Sequence, residues 1–160
     1  SFSLMNIVLV EPEIPPNTGN VARLCAATHS ALHLVGPLGF RLGDRELKRA
    51  GMDYWQQVDW QLWEEWAAFA AALPAGARLW MVEQGGAKRY DEAEFEPDDF
   101  LVFGRETAGL PKGLLEDHAD SWLRIPMFNA GARSLNMANC VSLVLYEALR
   151  QQGFSGELDA

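Results

Sequence analysis

Short apolar runs recur along the chain, and segments with helical or turn-forming character separate them. Asn6–Val10 and Ala31–Val35 are rich in β-branched and aliphatic residues, and each predicts a buried strand. Residues 17–29 between them have helical character, whereas the prolines of residues 11–16 argue against a helix there, because each disfavours the α conformation of the residue before it. The N-terminal segment therefore predicts a strand–helix–strand unit with parallel strands.

The rest of the chain continues this alternation. Three more strands are predicted, at residues 78–82, 100–103 and 121–125, and four more helices at residues 41–50, 60–73, 112–117 and 134–151. Strands that alternate with helices form a mainly parallel sheet with helices on both faces, so the predicted fold class is α/β. Residues 5–160 are expected to form a single domain, with residues 1–4 as a short extension outside it.

Charge and cysteine content narrow the class of protein. The 160 residues carry a net charge of −9, which argues against a general nucleic-acid coating protein and leaves room for a local basic patch. Cys25 and Cys140 are far apart and have no metal-ligand spacing. No apolar run reaches the roughly 18 residues that a membrane span requires. We therefore expect a cytoplasmic protein without a membrane-spanning segment.

Polar, glycine-bearing loops follow four of the predicted strands. They occupy residues 11–23, 83–88, 104–111 and 127–136. Ligands of open parallel sheets bind at the carboxyl ends of the strands, so these loops are candidate walls of one site. The loop at residues 104–111 places Arg105 and Glu106 among glycines that let the backbone approach a ligand closely, although such a loop alone also matches a tight surface turn.

Two sets of polar residues have a spacing of three. Asn17, Asn20 and Arg23 would share one face of the first helix, which suits a phosphate or a sugar hydroxyl, although such a set alone is more typical of a solvated face. Near the C-terminus Arg133, Asn136 and Asn139 have the same spacing.

Ser134 is the predicted N-cap of the last helix. That helix is apolar on most sides, which indicates burial on most sides and favours a subunit interface, with a two-fold homodimer as the default form.

Several common kinds of site are absent from the sequence. His29 and His33 lack a completing ligand, so no metal is expected. There is no G-x-S-x-G elbow, Walker A sequence or G-x-G-x-x-G sequence. These absences argue against serine hydrolases, ordinary nucleotide triphosphatases and dehydrogenases.

Three separated motifs, taken together, resemble a known superfamily. They are N-T-G-N-x-x-R at residues 17–23, F-G-x-E-x-x-G-L-P at residues 103–111, and I-P-M followed by R-S-L-N-x-x-N at residues 125–139. In this order they resemble the motifs of the SPOUT superfamily, specifically the TrmH-like RNA ribose 2′-O-methyltransferases. The opening residues 6–20 and A-G-M-D-Y at residues 50–54 narrow the resemblance to the short bacterial tRNA (cytidine/uridine-34-2′-O)-methyltransferases.

This resemblance implies a fold, a cofactor and a partner. The C-terminal segment would pass through a loop and form a deep trefoil knot, which sequence physics alone does not propose. The cofactor would be S-adenosylmethionine, with S-adenosylhomocysteine as its product and no metal. The residues implied to bind the cofactor are Val82, Gly104, Ile125, Met127, Ser134, Leu135 and Ala138. A homodimer would bring Arg23 of one subunit toward the cofactor of the other.

The resemblance also implies the chemistry and its residues. The substrate would be the wobble nucleotide in a tRNA anticodon loop, contacted by Arg23, Arg41, Arg105 and Arg133. The catalytic set would be Asn17, Arg23, Glu106, Ser134 and Asn136. In TrmH-like enzymes the arginine that corresponds to Arg23 is assigned as the general base. Because a guanidinium hardly deprotonates in proteins, an alternative role for Arg23 is to bind the adjacent phosphate and stabilise the negative charge of the alkoxide. Two alternatives remain at this point: a related enzyme acting on another RNA position, and a non-catalytic RNA-binding module.

Overall fold

The computed structural model describes residues 5–43, 45, 49 and 52–160, and within them seven strands form one parallel sheet. The strands are β1 (Asn6–Val10), β2 (Ala31–Val35), β3 (Trp60–Trp63), β4 (Leu79–Val82), β5 (Lys88–Arg89), β6 (Phe100–Phe103) and β7 (Trp122–Arg124). The helices are α1 (Pro15–Thr28), α2 (Trp66–Ala71), α3 (Lys112–Asp117) and α4 (Met137–Gln151). Short 3₁₀ helices lie at Met52–Gln57, Tyr90–Glu92 and Ala119–Ser121.

The order of strands across the sheet is β3-β2-β1-β6-β4-β7-β5, and every neighbouring pair is parallel. Successive side chains of β1 point to opposite faces. Ile7 and Leu9 join the buried cluster that includes residues of α1 and α4, whereas Val8 and Val10 join the cluster that includes Phe69 of α2. Helices therefore cover both faces, and the predicted α/β class is confirmed.

The start of α1 differs from the prediction. The helix begins at Pro15, with prolines in its first two positions, and not at Asn17. A proline is tolerated in the first turn because the N–H that it lacks has no partner inside the helix at that position. The left-handed residue His29 (φ 53°) then ends the helix.

The helix predicted at residues 60–73 was largely wrong. Trp60–Trp63 is strand β3, in register with β2 from Leu32 opposite Trp60 to Val35 opposite Trp63, and α2 covers only Trp66–Ala71. The tryptophans have a spacing compatible with a helix, and only the pairing with β2 makes their segment extended. Half of the charged helix predicted at residues 41–50 lies outside the described residues.

The last helix begins at Met137, and its N-cap is Asn136 and not Ser134. The Oδ1 atom of Asn136 accepts a hydrogen bond of 2.9 Å from the backbone N–H of Ala138. Arg133 therefore lies outside the helix, so the predicted common face of Arg133, Asn136 and Asn139 is not formed.

Strand β7 lies between β4 and β5, although β4 and β5 are joined directly by residues 83–87. This connection passes close to β7: a Cβ atom on Gly86 would lie 2.7 Å from the backbone of Trp122 and Leu123. The guanidinium of Arg124 donates to the carbonyl oxygens of Gly86 and Ala87. A chain segment enclosed by an earlier connection is what a knot requires, and the knot itself stays a prediction.

Among the described helices none has the length and apolarity needed to cross a bilayer.

Candidate active site

The carboxyl ends of the central strands surround a cavity of about 600 Å³. Its walls are the loops after β4, β6 and β7 together with the first turn of α1. Eleven of the residues predicted for the site line it: Asn17, Val82, Gly104, Arg105, Glu106, Ile125, Met127, Arg133, Ser134, Leu135 and Asn136. Segments far apart in the sequence thus meet at one place, as the position of the loops predicts.

Three predicted residues do not line this cavity. Ala138 is half-buried and packs against the core beside α1 and α4. Arg41 is exposed. Arg23 is also exposed, and its guanidinium carbon lies 5.5 Å from the centre of the Tyr54 ring. Asn17 is only 7% exposed, whereas Asn20 and Arg23 face solvent, so the first helix does not present the three as one surface.

The carboxylate of Glu106 binds the beginning of α1. Its Oε1 atom accepts the backbone N–H of Glu13 (3.0 Å), and Oε2 accepts the backbone N–H of Ile14 (2.6 Å), the N-cap residue. The amide of Asn17 reaches Oε2 at 3.4 Å. The first N–H groups of a helix have no partner inside it, and its positive dipole end favours an anion. Glu106 therefore caps α1 from a distant loop and joins the first two motifs.

A second carboxylate makes the reciprocal connection. Oε1 of Glu13 accepts hydrogen bonds from the backbone N–H (3.1 Å) and the hydroxyl (2.7 Å) of Thr107. These bonds, the hydroxyl first, lower the pKa of Glu13 below its ordinary value, because both favour the charged carboxylate. The loop after β6 is thus held to the segment before α1 from both sides.

Asn17 is the central member of the polar network. Its Oδ1 atom accepts a 2.9 Å hydrogen bond from Nδ2 of Asn136, while its own Nδ2 points to Glu106. Asn136 in turn caps α4. The three motifs that were separate in the sequence are therefore connected through one buried amide.

Glu83 is a site residue that the sequence prediction missed. Its Oε1 accepts the backbone N–H of Leu110 (2.8 Å), and its Oε2 accepts the N–H of Gln84 (2.9 Å). A Cβ atom on Gly109 (φ 65°) would overlap this carboxylate, and one on Gly104 would overlap the backbone of Gly109. Both glycines are required for this close approach. The feature of the sequence that could have predicted Glu83 is its position, an acidic residue directly after an apolar strand.

Gln84 and Cys140 complete the wall between the loops. The side-chain amide of Gln84 donates to the carbonyl oxygen of Arg133, which ties the loop after β4 to the loop after β7. Burial, with the nearby Glu83 carboxylate as a smaller cause, raises the pKa of the Cys140 thiol, so it is neutral at physiological pH. Cys140 therefore lines the cavity as a small apolar group.

The composition of the walls suits a nucleoside-sized ligand with apolar faces and hydrogen-bond acceptors. The cavity volume falls in the usual range for small-molecule sites, and apolar side chains such as Val82, Ile125 and Leu135 alternate with backbone groups. The Nε atom of Arg105 is buried without a hydrogen-bond partner, which leaves a donor for a ligand. Within the described ranges, no cluster of His, Cys, Asp or Glu could hold a metal ion.

A parallel α/β fold whose strand-end loops form such a cavity is found in RNA methyltransferases, and the chain belongs to the SpoU rRNA Methylase family, whose model matches residues 4–146. A tRNA (cytidine(34)-2′-O)-methyltransferase of Burkholderia pseudomallei (strain 1106a) is 48% identical over 155 residues, which cover 96% of this chain and 99% of that protein.

Two solved structures show the same fold. One, described as giving structural insights into 2-OH methylation of C/U34 on tRNA, has a TM-score of 0.89 and 46% identity and covers 96% of this chain and 93% of its own. An AdoMet-bound rRNA methyltransferase from Sinorhizobium meliloti has a TM-score of 0.80 and 25% identity, and it covers 94% of this chain and 57% of its own. The resemblance to TrmH-like methyltransferases is confirmed.

Proposed function

We propose that this chain transfers a methyl group from S-adenosylmethionine to the ribose 2′-hydroxyl of the wobble nucleotide, position 34, of tRNA. The observation that carries the proposal is the network of Asn17, Glu106 and Asn136, in which three distant motifs are hydrogen-bonded at one cavity. A relative 48% identical over nearly its whole length narrows the substrate to cytidine 34, and the similar structure described for methylation of C/U34 adds uridine.

The cofactor fits the first cavity by size and by the chemistry of its walls. Backbone groups near Val82, Gly104 and Ile125 would bind the adenine edge, with Met127 and Leu135 against its faces. When bound, the sulfonium of S-adenosylmethionine supplies an electrophilic methyl group. The product is S-adenosylhomocysteine, and the proposal requires no metal. Ala138 packs against the core and does not line the cavity, so its part in cofactor binding stays a prediction.

The residues of this chain bind and orient the ribose for the transfer. The hydroxyl oxygen must lie in line with the methyl group, and fixing that geometry accounts for much of the acceleration. A new carbon–oxygen bond forms as the carbon–sulfur bond breaks, and the hydroxyl proton leaves to solvent or to a base. Arg105 and Arg133 line the cavity, where positive charge stabilises a developing alkoxide and binds the neighbouring phosphate.

Asn17, Glu106 and Asn136 act in this proposal mainly as positioning residues. Most of their hydrogen-bonding capacity is used within the protein, on each other and on the first turns of α1 and α4. One N–H of the Asn136 amide is left for a ribose oxygen. Ser134 is exposed at the rim, where its hydroxyl is accessible to a substrate.

Arg23 takes part through a second copy of the chain. It does not line the cavity of its own chain, so a homodimer would supply it to the partner's site. Apolar residues that remain exposed near the cavity and along α4 support such a dimer: Ile14, Leu135, Leu143 and Tyr146. In this role Arg23 holds a phosphate or the alkoxide, since its guanidinium stays protonated. A mass of one chain in light scattering would contradict the dimer.

The net charge of −9 is compatible with this substrate. Anticodon loops are recognised through single-stranded, splayed bases, which needs fewer phosphate contacts than binding along a duplex. Exposed arginines that would serve are Arg23, Arg41 and Arg133. The proposed location is the cytoplasm, where tRNA is available as a substrate.

Incubation with tRNA and S-adenosylmethionine, followed by mass spectrometry of nucleosides, tests the proposal. A gain of one 2′-O-methyl group at position 34 is expected. A gain at another RNA position would favour the related-enzyme alternative, and no gain in any RNA would favour a non-catalytic module. The variant Arg23→Ala should lose transfer and keep cofactor binding in calorimetry. Loss of both properties would instead assign Arg23 a structural role.

A further inference from the structure

A second cavity, of about 640 Å³, lies beside the first and shares wall residues with it. The shared residues are Gln84, Ile125, Met127 and Arg133. The rest of its wall comes mainly from β7 and the loop that follows it, including Arg124 and Phe128. Because the two cavities adjoin, a ligand in the second would lie next to the group that reacts in the first.

Phe128 is an unusual residue for an exposed loop. It is 96% exposed, although transfer of a phenylalanine ring from water to an apolar contact is favourable. The residues after it form a closed turn, in which the N–H of Ala132 donates to the carbonyl of Asn129 (3.0 Å) and the N–H of Gly131 donates to Oδ1 of Asn129 (2.9 Å). Phe128 is therefore presented at the base of an ordered turn, with its ring available to a partner.

The charge of the second cavity is opposite to that of the protein. The chain has 22 acidic and 13 basic residues, yet the described residues that line this cavity include Arg124 and Arg133 and no carboxylate. Neither guanidinium forms an ion pair in the part of the chain that the structure describes, although Asp91, which pairs with Arg89, also interacts with the charge of Arg124. Arg124 is fixed by the carbonyls of Gly86 and Ala87, whereas Arg133 is exposed at the boundary between the cavities.

We infer that the second cavity binds the nucleotide next to the methylated one, with its base stacked on Phe128 and its phosphate on Arg133. The inference rests on the proposed function, because it takes single-stranded RNA as the substrate. An aromatic ring beside cations is the usual recognition site for an unpaired nucleotide, since every base offers a face for stacking and every phosphate a negative charge. A second copy of the chain fits less well, because the residues that follow Phe128 in this loop, residues 129–132, are small or polar and add no apolar area around the ring.

The test uses the whole chain and a short RNA hairpin that carries the anticodon loop, with 2-aminopurine placed on one or the other side of the methylated nucleotide. Stacking of 2-aminopurine on the side chain at position 128 should quench the fluorescence of 2-aminopurine in the native protein and in Phe128→Trp, but not in Phe128→Ala. Loss of one stacked base should raise the KM for RNA in Phe128→Ala by roughly 5- to 150-fold. The kcat and the affinity for S-adenosylmethionine should change little.

Leu158→Ala is the matched control, because Leu158 is 88% exposed but lies in the C-terminal tail away from both cavities. It should behave as the native protein. Native methylation of the hairpin tests the proposed function separately, since quenching is measured without turnover. Equal quenching and equal KM in Phe128→Ala and the native protein would overturn the inference. A change of mass in light scattering for Phe128→Ala would overturn it too, because the side chain would then belong to a protomer interface.

Discussion

The Nδ2 atom of Asn136 donates a 2.9 Å hydrogen bond to Oδ1 of Asn17, although 119 positions separate the two residues. Asn136 also caps α4, and Asn17 lies in the first turn of α1. The starts of the two helices are therefore fixed relative to each other by one amide pair at the edge of the cavity. Geometry and stability depend here on the same side chains.

Asn136→Asp should separate these two roles. An aspartate keeps the oxygen that caps α4 but cannot donate to Asn17, so methyl transfer should fall and the free energy of unfolding should decrease by about 1 kcal/mol for the lost hydrogen bond alone. Asn136→Ala should lose both, with a cost of about 1 kcal/mol for the missing cap. Urea unfolding and initial rates of methylation measure the two effects. Equal activity of Asn136→Asp and the native protein would show that the amide pair has no part in transfer.

Glu106→Gln should destabilise the attachment of the loop after β6 to α1. A glutamine has one acceptor oxygen and cannot accept both backbone N–H groups, of Glu13 and Ile14, as the carboxylate does. We expect a loss of about 1–2 kcal/mol in urea unfolding, together with weaker cofactor binding in calorimetry. An unchanged unfolding midpoint would contradict the capping role.

Gly104→Ala should prevent cofactor binding. Its Cβ would overlap the backbone of Gly109 and Leu110, so the loop would have to move away from the cavity. Gly113→Ala is the matched control, because no atom lies within 4 Å of its added Cβ and the position is in α3. The control should bind cofactor normally and gain up to about 1 kcal/mol of stability. Calorimetric titration of both variants with S-adenosylmethionine makes the comparison.

Tyr54 should position Arg23 for its role in methyl transfer. The guanidinium of Arg23 packs on the Tyr54 ring, which leaves the guanidinium N–H groups available to the substrate. Tyr54→Phe keeps the ring and should retain activity. Tyr54→Leu should lower kcat/KM by roughly 2- to 30-fold, which corresponds to about 0.5–2 kcal/mol for a cation–π contact. Cofactor affinity should stay unchanged in both variants. If Tyr54→Leu lost cofactor binding as well, Tyr54 would have a structural role.

His33 should make stability depend on pH. Burial lowers its pKa, with Asp59 opposing the shift, and its Nδ1 accepts a hydrogen bond from the indole N–H of Trp63. Because the unfolded chain binds a proton at the ordinary pKa of 6.5 and the folded chain only at a lower pH, protonation favours unfolding. The free energy of unfolding should therefore fall as pH drops from 6.5 toward that lowered pKa.

His33→Asn provides the comparison for this effect, because it keeps an acceptor near the position of Nδ1 and does not titrate. Urea unfolding between about pH 5 and pH 7.5 should show a smaller slope for this variant. Equal slopes in the two proteins would assign the pH dependence to other groups.

Much of the fold follows from local sequence. The buried strands β1, β2, β4 and β6 were predicted within a residue of their bounds, because runs of aliphatic residues must be covered on both faces. The predicted helix at residues 112–117 matches α3, and the alternation of helices with strands indicated the α/β class. Position at the strand ends also predicted most of the residues that line the cavity, since parallel strands bring their following loops to one edge.

The errors came from places where a distant partner decides the conformation. Trp60–Trp63 is extended because its backbone pairs with the edge of β2. The local spacing of the tryptophans does not predict this pairing. Asn136 and not Ser134 caps α4. Asparagine and serine are about equally favoured as N-caps, so local preference does not choose between them, whereas the hydrogen bond to Asn17 fixes Asn136 at this position.

The sequence by itself determined the class of fold and the loops that the site would draw on, because apolar periodicity and loop position are local properties. The individual site residues came from the resemblance of three motifs to a known family. Only the tertiary structure decided how those residues are used. It made Glu106 the cap of the distant helix α1, joined the Asn136 cap of α4 to Asn17, added Glu83 to the site, and left Arg23 outside the cavity of its own chain. Hydrogen bonds between residues far apart in the chain depend on how strands are ordered in the sheet, and that order is a property of the whole chain.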